Sequence, residues 1–127
     1  MLTHIHTTAV SVANYEEALA FYTEKLGWEK REDVPMGGDG RWLTVAIPGA
    51  QTSINLAGPE MHGEHTPGGM TGIAIISDDI DADYERLVGA GVSFTGPVTT
   101  EAWGDRSAWM TDPDGNVFYL IQSTAAV

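Results

Sequence analysis

In AVSVANYEEALAFYTEKLGWEK, Ala9–Lys30, a strand pattern gives way to a helical one. Its opening continues a β-branched run from His4, HIHTTAVSV, and reads as a strand through Val12. Asn14 then suits a helix N-cap, with Glu16 and Glu17 in the first turn where the helix dipole favours acids. Ala18, Leu19, Phe21, Tyr22 and Leu26 recur at helical spacing, and Gly27 supplies a stop, so the pattern predicts a helix over about 15–26.

After this helix a short strand is expected over Trp28–Asp33, a Gly-rich turn or loop over Pro35–Gly40, and strands over Arg41–Ile47 and Thr52–Ala57 about a turn at Pro48–Ala50. The order is βαβββ. Residues 58–70, GPEMHGEHTPGGM, hold four glycines and two prolines without periodicity and read as a linker or cleft-edge loop. The pattern then restarts, with a strand over Thr71–Ser77, a helix over about 80–89 capped by Asp78 or Asp79, and a strand over Val92–Thr95. Arg106–Thr111 and Val117–Gln122 follow as strands about a DPDG turn. The second half follows the first by roughly 65 residues, with Tyr15 falling on Ile80 and Leu19 on Tyr84. The expected fold class is α+β: one domain of two βαβββ halves, about 3–58 and 71–124, each a curved sheet with its helix on one face. The other face is lined by alternate side chains and suits a ligand.

A chain of 127 residues with 43% apolar content can bury one real core and gives no reason to expect disorder. With no cysteine, disulfides, thiolate metal sites and a cysteine nucleophile are excluded. Six Lys+Arg against eighteen Asp+Glu give a net charge of −12, which repels phosphate backbones and makes nucleic acid an unfavourable partner. The same field would favour a cationic ligand, though net charge reports on solubility first. Met1–Val12 lacks signal-peptide features and no apolar run approaches a membrane span, so no membrane partner is expected, and cytoplasmic residence is.

The run Ala9–Lys30, the paired repeat and the closing DPDGNVFYLIQ (Asp112–Gln122) resemble the vicinal oxygen chelate superfamily, which includes glyoxalase I, extradiol dioxygenases, fosfomycin-inactivating enzymes and bleomycin-resistance proteins. The resemblance covers nearly the whole chain. It implies the tandem βαβββ fold, a homodimer, and one metal ligand, His or Glu, on each of four strands. Those positions fall here on Thr7, Asn55, Gly72 and Tyr119. A hydroxyl, an amide, a hydrogen and a phenol do not make the imidazole and carboxylate set that Zn, Ni or Fe(II) requires. No cofactor is therefore expected, and Asn55 and Tyr119 become polar groups facing a pocket with Thr7 on its floor.

Two other histidine sets compete with that reading. His4 and His6 would share a strand face, and His62 and His65 sit in the linker with Glu60 and Glu64. Such clusters are weak without supporting partners. No G-x-S-x-G and no phosphate-loop pattern occurs, and Glu101 and Asp105, either of which could act as a general acid or base, read first as solvated surface acids. Among the aromatic residues, Trp103 lies in the polar segment EAWGD and suits a pocket mouth as well as it suits packing. Trp42, Trp109 and the adaptable Met36 are further lining candidates. The function expected is metal-free binding that sequesters an aromatic or cationic, antibiotic-like molecule. The alternative is an enzyme of the same superfamily acting on a small metabolite, metal-free through Tyr119 or an acid, or with its metal on the histidines.

Overall fold

The computed structural model describes residues 1–62 and 66–122. It comprises two compact units, Met1–Gly68 and Gly69–Val127. In the first, β1 (Thr7–Ser11), α1 (Tyr15–Ala20), β2 (Glu29–Pro35), β3 (Arg41–Ala46), β4 (Ser53–Ala57) and the short α2 (Pro59–His62) follow in order. The sheet order is β1-β4-β3-β2, with β1 parallel to β4 and the other pairs antiparallel.

Local chemistry accounts for most boundaries. The Asn14 side chain accepts from Glu17 N at 3.0 Å and starts α1. The last part of the expected helix, Phe21–Lys25, is wound as a π-helix, with Leu26 N donating to Phe21 O. The looser winding coincides with two consecutive buried rings, Phe21 and Tyr22, packed edge to face at 5.1 Å. β1 begins at Thr7 rather than His4 because its partner β4 begins at Ser53, which leaves the preceding residues without a ladder. Pro35 ends β2 on the sheet edge, where its missing N–H costs nothing.

Register fixes the two faces. Val10, Leu43, Val45, Ile54 and Leu56 are buried on the α1 side. Thr7, Ala9, Trp42, Thr44, Ser53 and Asn55 share the opposite face.

Arg41 ties the start of α1 to the β2–β3 hairpin. Its guanidinium donates to both Asp33 oxygens (3.0 and 2.7 Å), bonds Glu16, and lies 5.2 Å above the Tyr15 ring. The hydrogen bond from Arg41 holds the Asp33 carboxyl below its ordinary value; desolvation opposes this, and the charges of Arg41 and Lys30 reinforce it. Because the folded pKa is depressed, this stabilisation is present above the unfolded carboxylate value and is lost as pH falls through the lowered folded value. Arg41→Ala is expected to cost about 1–2 kcal/mol at neutral pH, by loss of a paired, stacked cation. Denaturant titrations should show that difference shrinking in acid.

The second unit repeats the plan with β5 (Gly69–Ile76), α3 (Ile80–Gly89), β6 (Ser93–Phe94), β7 (Thr99–Thr100), β8 (Arg106–Thr111) and β9 (Asn116–Gln122). Its order is β5-β9-β8-β6, with β7 also on β8. Asp79 caps α3 through Ala82 N, and Gln122 Oε1 accepts from Ile80 N at 2.7 Å. In the DPDG turn, Asp112 Oδ1 accepts from Asp114 N and Asn116 N. The strand expected at Val92–Thr95 is present as the two-residue β6, and an unexpected second short strand, β7, pairs with β8 beyond Gly96 and Pro97. The expected linker is also shorter: Pro59–His62 is helical, with Pro59 at the first helical position, and Gly69–Met70 pair with β9. Among the described residues no helix is long and apolar enough to cross a membrane.

Candidate functional site

Alternation along β8 and β9 sends Ala108, Met110, Phe118 and Leu120 into the core beside α3. The intervening residues, Trp109, Val117, Tyr119 and Ile121, take the open face with Met70, Ala74 and Ile76 of β5. This face is apolar and accessible: Met70 is 65% and Ile76 71% exposed. A pocket of about 200 Å³ opens on it, lined by Met70, Gly72, Ile73 and Ala74 from β5 and by Trp109, Val117 and Tyr119.

A bulge shapes the pocket. Met70 pairs with Val117 and Ala74 with Tyr119, so four steps along β5 span two along β9. Thr71 Oγ1 bridges the gap, donating to Val117 O at 2.8 Å and accepting from Ile73 N at 3.1 Å. Gly72 sits at the bend with φ +75°, and a Cβ there would meet nothing within 4 Å. The glycine is required by backbone conformation and not by space. Gly72→Ala is therefore expected to cost about 1 kcal/mol, read as a lower urea midpoint.

Trp109 and Tyr119 face each other across β8 and β9, their rings 4.5 Å apart and tilted by 46°. Neither the Trp109 indole N–H nor the Tyr119 hydroxyl has a hydrogen-bond partner among the described residues. The arrangement offers an aromatic wall, two unengaged polar groups and an apolar floor, a combination suited to a flat molecule carrying hydrogen-bonding substituents.

The structure thus brings Gly72, Trp109 and Tyr119 together. Thr7 and Asn55 share the open face of the first sheet. Thr7 Oγ1 is buried there with no hydrogen-bond partner among the described residues, and Asn55 Nδ2 donates to Leu43 O at 3.2 Å, just past the last β3–β4 pair. Trp42 lies on that face too, its indole N–H engaged by Glu32 at 3.1 Å. Met36, 53% exposed, is in the turn after β2. Trp103, 67% exposed, is in the turn between β7 and β8 and donates to Asp105 at 3.0 Å. Neither lines the pocket.

His4 and His6 precede β1 and do not share a strand face; His4 meets Thr3, and His6 Nε2 lies 4.0 Å from Glu32. Glu64, His65 and the His62 side chain lie outside the described residues. Among the described residues no three His, Cys, Asp or Glu gather as a metal would need. The positions at which the family resemblance places metal ligands do not fit a transition-metal cation: Gly72 has no donor side chain, and Thr7, Asn55 and Tyr119 provide neutral oxygens and an amide.

Sequence reasoning missed Met70, Ile73, Ala74 and Val117 as lining residues. The available signal was Gly72, a lone glycine inside an apolar strand, which marks a bulge.

Residues 4–120 match the family model of the Glyoxalase/Bleomycin resistance protein/Dioxygenase superfamily. A member of that superfamily from Sphaerobacter thermophilus DSM 20745 has a similar solved structure, with 41% identity, a TM-score of 0.91, and coverage of 96% of this chain and 98% of that one. TnmS3, an antibiotic binding protein from Streptomyces sp. CB03234, is 41% identical with a TM-score of 0.82, over 97% and 98% of the two chains. The uncharacterized protein YetH of Bacillus subtilis is 35% identical over 94% of this chain and 98% of its own length. The chain belongs to the glyoxalase/bleomycin resistance protein/dioxygenase superfamily.

Proposed function

We propose that the chain binds a small, flat, largely apolar molecule on the open face of its second sheet and sequesters it unchanged. The observation that carries this reading is the partly exposed Trp109–Tyr119 pair, whose polar tips meet no partner among the described residues, over the apolar pocket at the Gly72 bulge. The pocket wall holds no carboxylate, imidazole or amine, and its one titratable group is the Tyr119 phenol, so it is poorly equipped for acid–base chemistry. At about 200 Å³ it is smaller than pockets that swallow a drug-sized molecule, and suits a fused-ring fragment of one. The likeness to TnmS3, an antibiotic binding protein, supports an antibiotic-like ligand. Assembly as a homodimer belongs to the same proposal, and sedimentation should find a species of twice the 13.6 kDa chain.

Acridine, a neutral planar fluorophore at neutral pH, tests the reading. Saturable binding with stoichiometric recovery of unmodified compound after denaturation is expected. Recovery of a converted product would move the chain to the enzymes of its superfamily.

A further inference from the structure

We propose that Glu101 anchors a positively charged substituent of the molecule held at Trp109 and Tyr119, so that the pocket prefers planar cations to neutral planar molecules. The proposal rests on the pocket reading above and specifies its ligand class.

Ser107 and Trp109 are two residues apart on β8, opposite Ile121 and Tyr119, so both side chains take the open face. Ser107 is 1% exposed, and its hydroxyl donates to Glu101 Oε1 at 2.5 Å. The bond holds the Glu101 carboxylate over the open face, about 7 Å along the strand from the indole position. Backbone bonds fix the turn that carries it, Glu101 N to Asp105 O at 2.7 Å and Gly104 N to Glu101 O at 2.9 Å.

No cation of the second unit answers this charge. From Gly69 onward the only Lys or Arg residues are Arg86 and Arg106. Arg86 pairs with Asp83. Arg106 alternates to the other face, where Asp81 takes its guanidinium at 2.6 and 3.1 Å and Thr100 takes a third bond. A carboxylate has about four acceptor sites, and the side chain of Glu101 meets only the Ser107 hydroxyl among the described residues. A half-buried acid so placed beside an aromatic wall completes its partners when a ligand brings a donor cation.

The Ser107–Glu101 bond also closes the turn, a role that Glu101→Gln preserves because the amide oxygen still accepts. The probes are 9-aminoacridine, a planar cation at neutral pH, and acridine, its neutral relative, titrated by fluorescence against the full chain. The wild type is expected to bind 9-aminoacridine about tenfold more tightly, with the preference shrinking as salt is added. Glu101→Gln should bring the two affinities within about twofold while leaving that for acridine unchanged. Asp78→Asn removes an equal charge from the exposed start of α3 and should keep the preference, which separates a local anchor from the general acidic field. Equal wild-type affinities, or a preference that survives Glu101→Gln, would overturn the Glu101 proposal and leave the pocket standing. Binding of neither probe would overturn both.

Discussion

Trp109→Ala is expected to weaken acridine binding about thirtyfold or more while the fold persists. The indole supplies one wall of the pocket and meets the Tyr119 ring at 4.5 Å. Removing it takes away the stacking face, an indole N–H and much of the area a flat ligand would cover. Stacking on an aromatic side chain contributes about 1–3 kcal/mol, and the lost apolar contact adds to it, so about 2–3 kcal/mol is a fair total. That converts to between about thirty and a hundred and fifty in affinity. Trp109 is 36% exposed and on the open face, so truncation leaves the core beside α3 intact. The cost to stability should be about 1 kcal/mol, the lost ring pair. Trp103→Ala is the matched control. That indole is more exposed, its N–H is spent on Asp105, and it does not line the pocket, so affinity should change less than about twofold. If the two substitutions weaken binding equally, the ligand does not sit on the sheet.

Why the repeat could be read before the pocket follows from what periodicity encodes. Helix 80–89 and strand Arg106–Thr111 have the bounds expected from sequence, since a capping Asp79 and the DPDG turn mark them chemically. β6 lies inside the strand expected over Val92–Thr95, whereas β7, two residues long and just past Gly96–Pro97, is too short for alternation to register. The π-wound end of the first helix left no trace, because Phe21, Tyr22 and Leu26 satisfy helical spacing under either winding. At the site, the family resemblance points to Tyr119 and Gly72, but it marks Gly72 only as an empty ligand position, whereas its positive φ makes it the pivot of the bulge. The polar setting of Trp103 in EAWGD marks it as unlike a core residue, but composition gives no direction to a loop side chain; its indole N–H donates to Asp105. Which of two sheet faces carries a pocket depends on packing between strands, and no single strand's pattern contains it.

Gly58→Ala is the other substitution with a large expected effect, here on stability. Gly58 follows β4, is buried, and accepts through its carbonyl from Met61 N to start α2. A Cβ at this position would lie 2.3 Å from Tyr15 Cζ and 2.6 Å from Cε2 and the hydroxyl oxygen. The ring cannot yield cheaply. Its hydroxyl accepts from Arg41 N at 3.2 Å, and the Arg41 guanidinium stacks on it while holding Asp33 and Glu16. Moving Tyr15 therefore breaks a hydrogen bond and loosens the link between α1 and the β2–β3 hairpin. Overpacking of this kind costs about 1–3 kcal/mol, and the lost bond should place Gly58→Ala toward the upper end. For a chain of this length that is a fall in Tm of about 6–12 °C. A double-mutant cycle identifies the cause. In a Tyr15→Ala background the new methyl group meets no ring, so adding Gly58→Ala should cost about 0.5 kcal/mol or less. If the penalty is as large without the tyrosine as with it, the glycine is required for some reason other than the ring beside it.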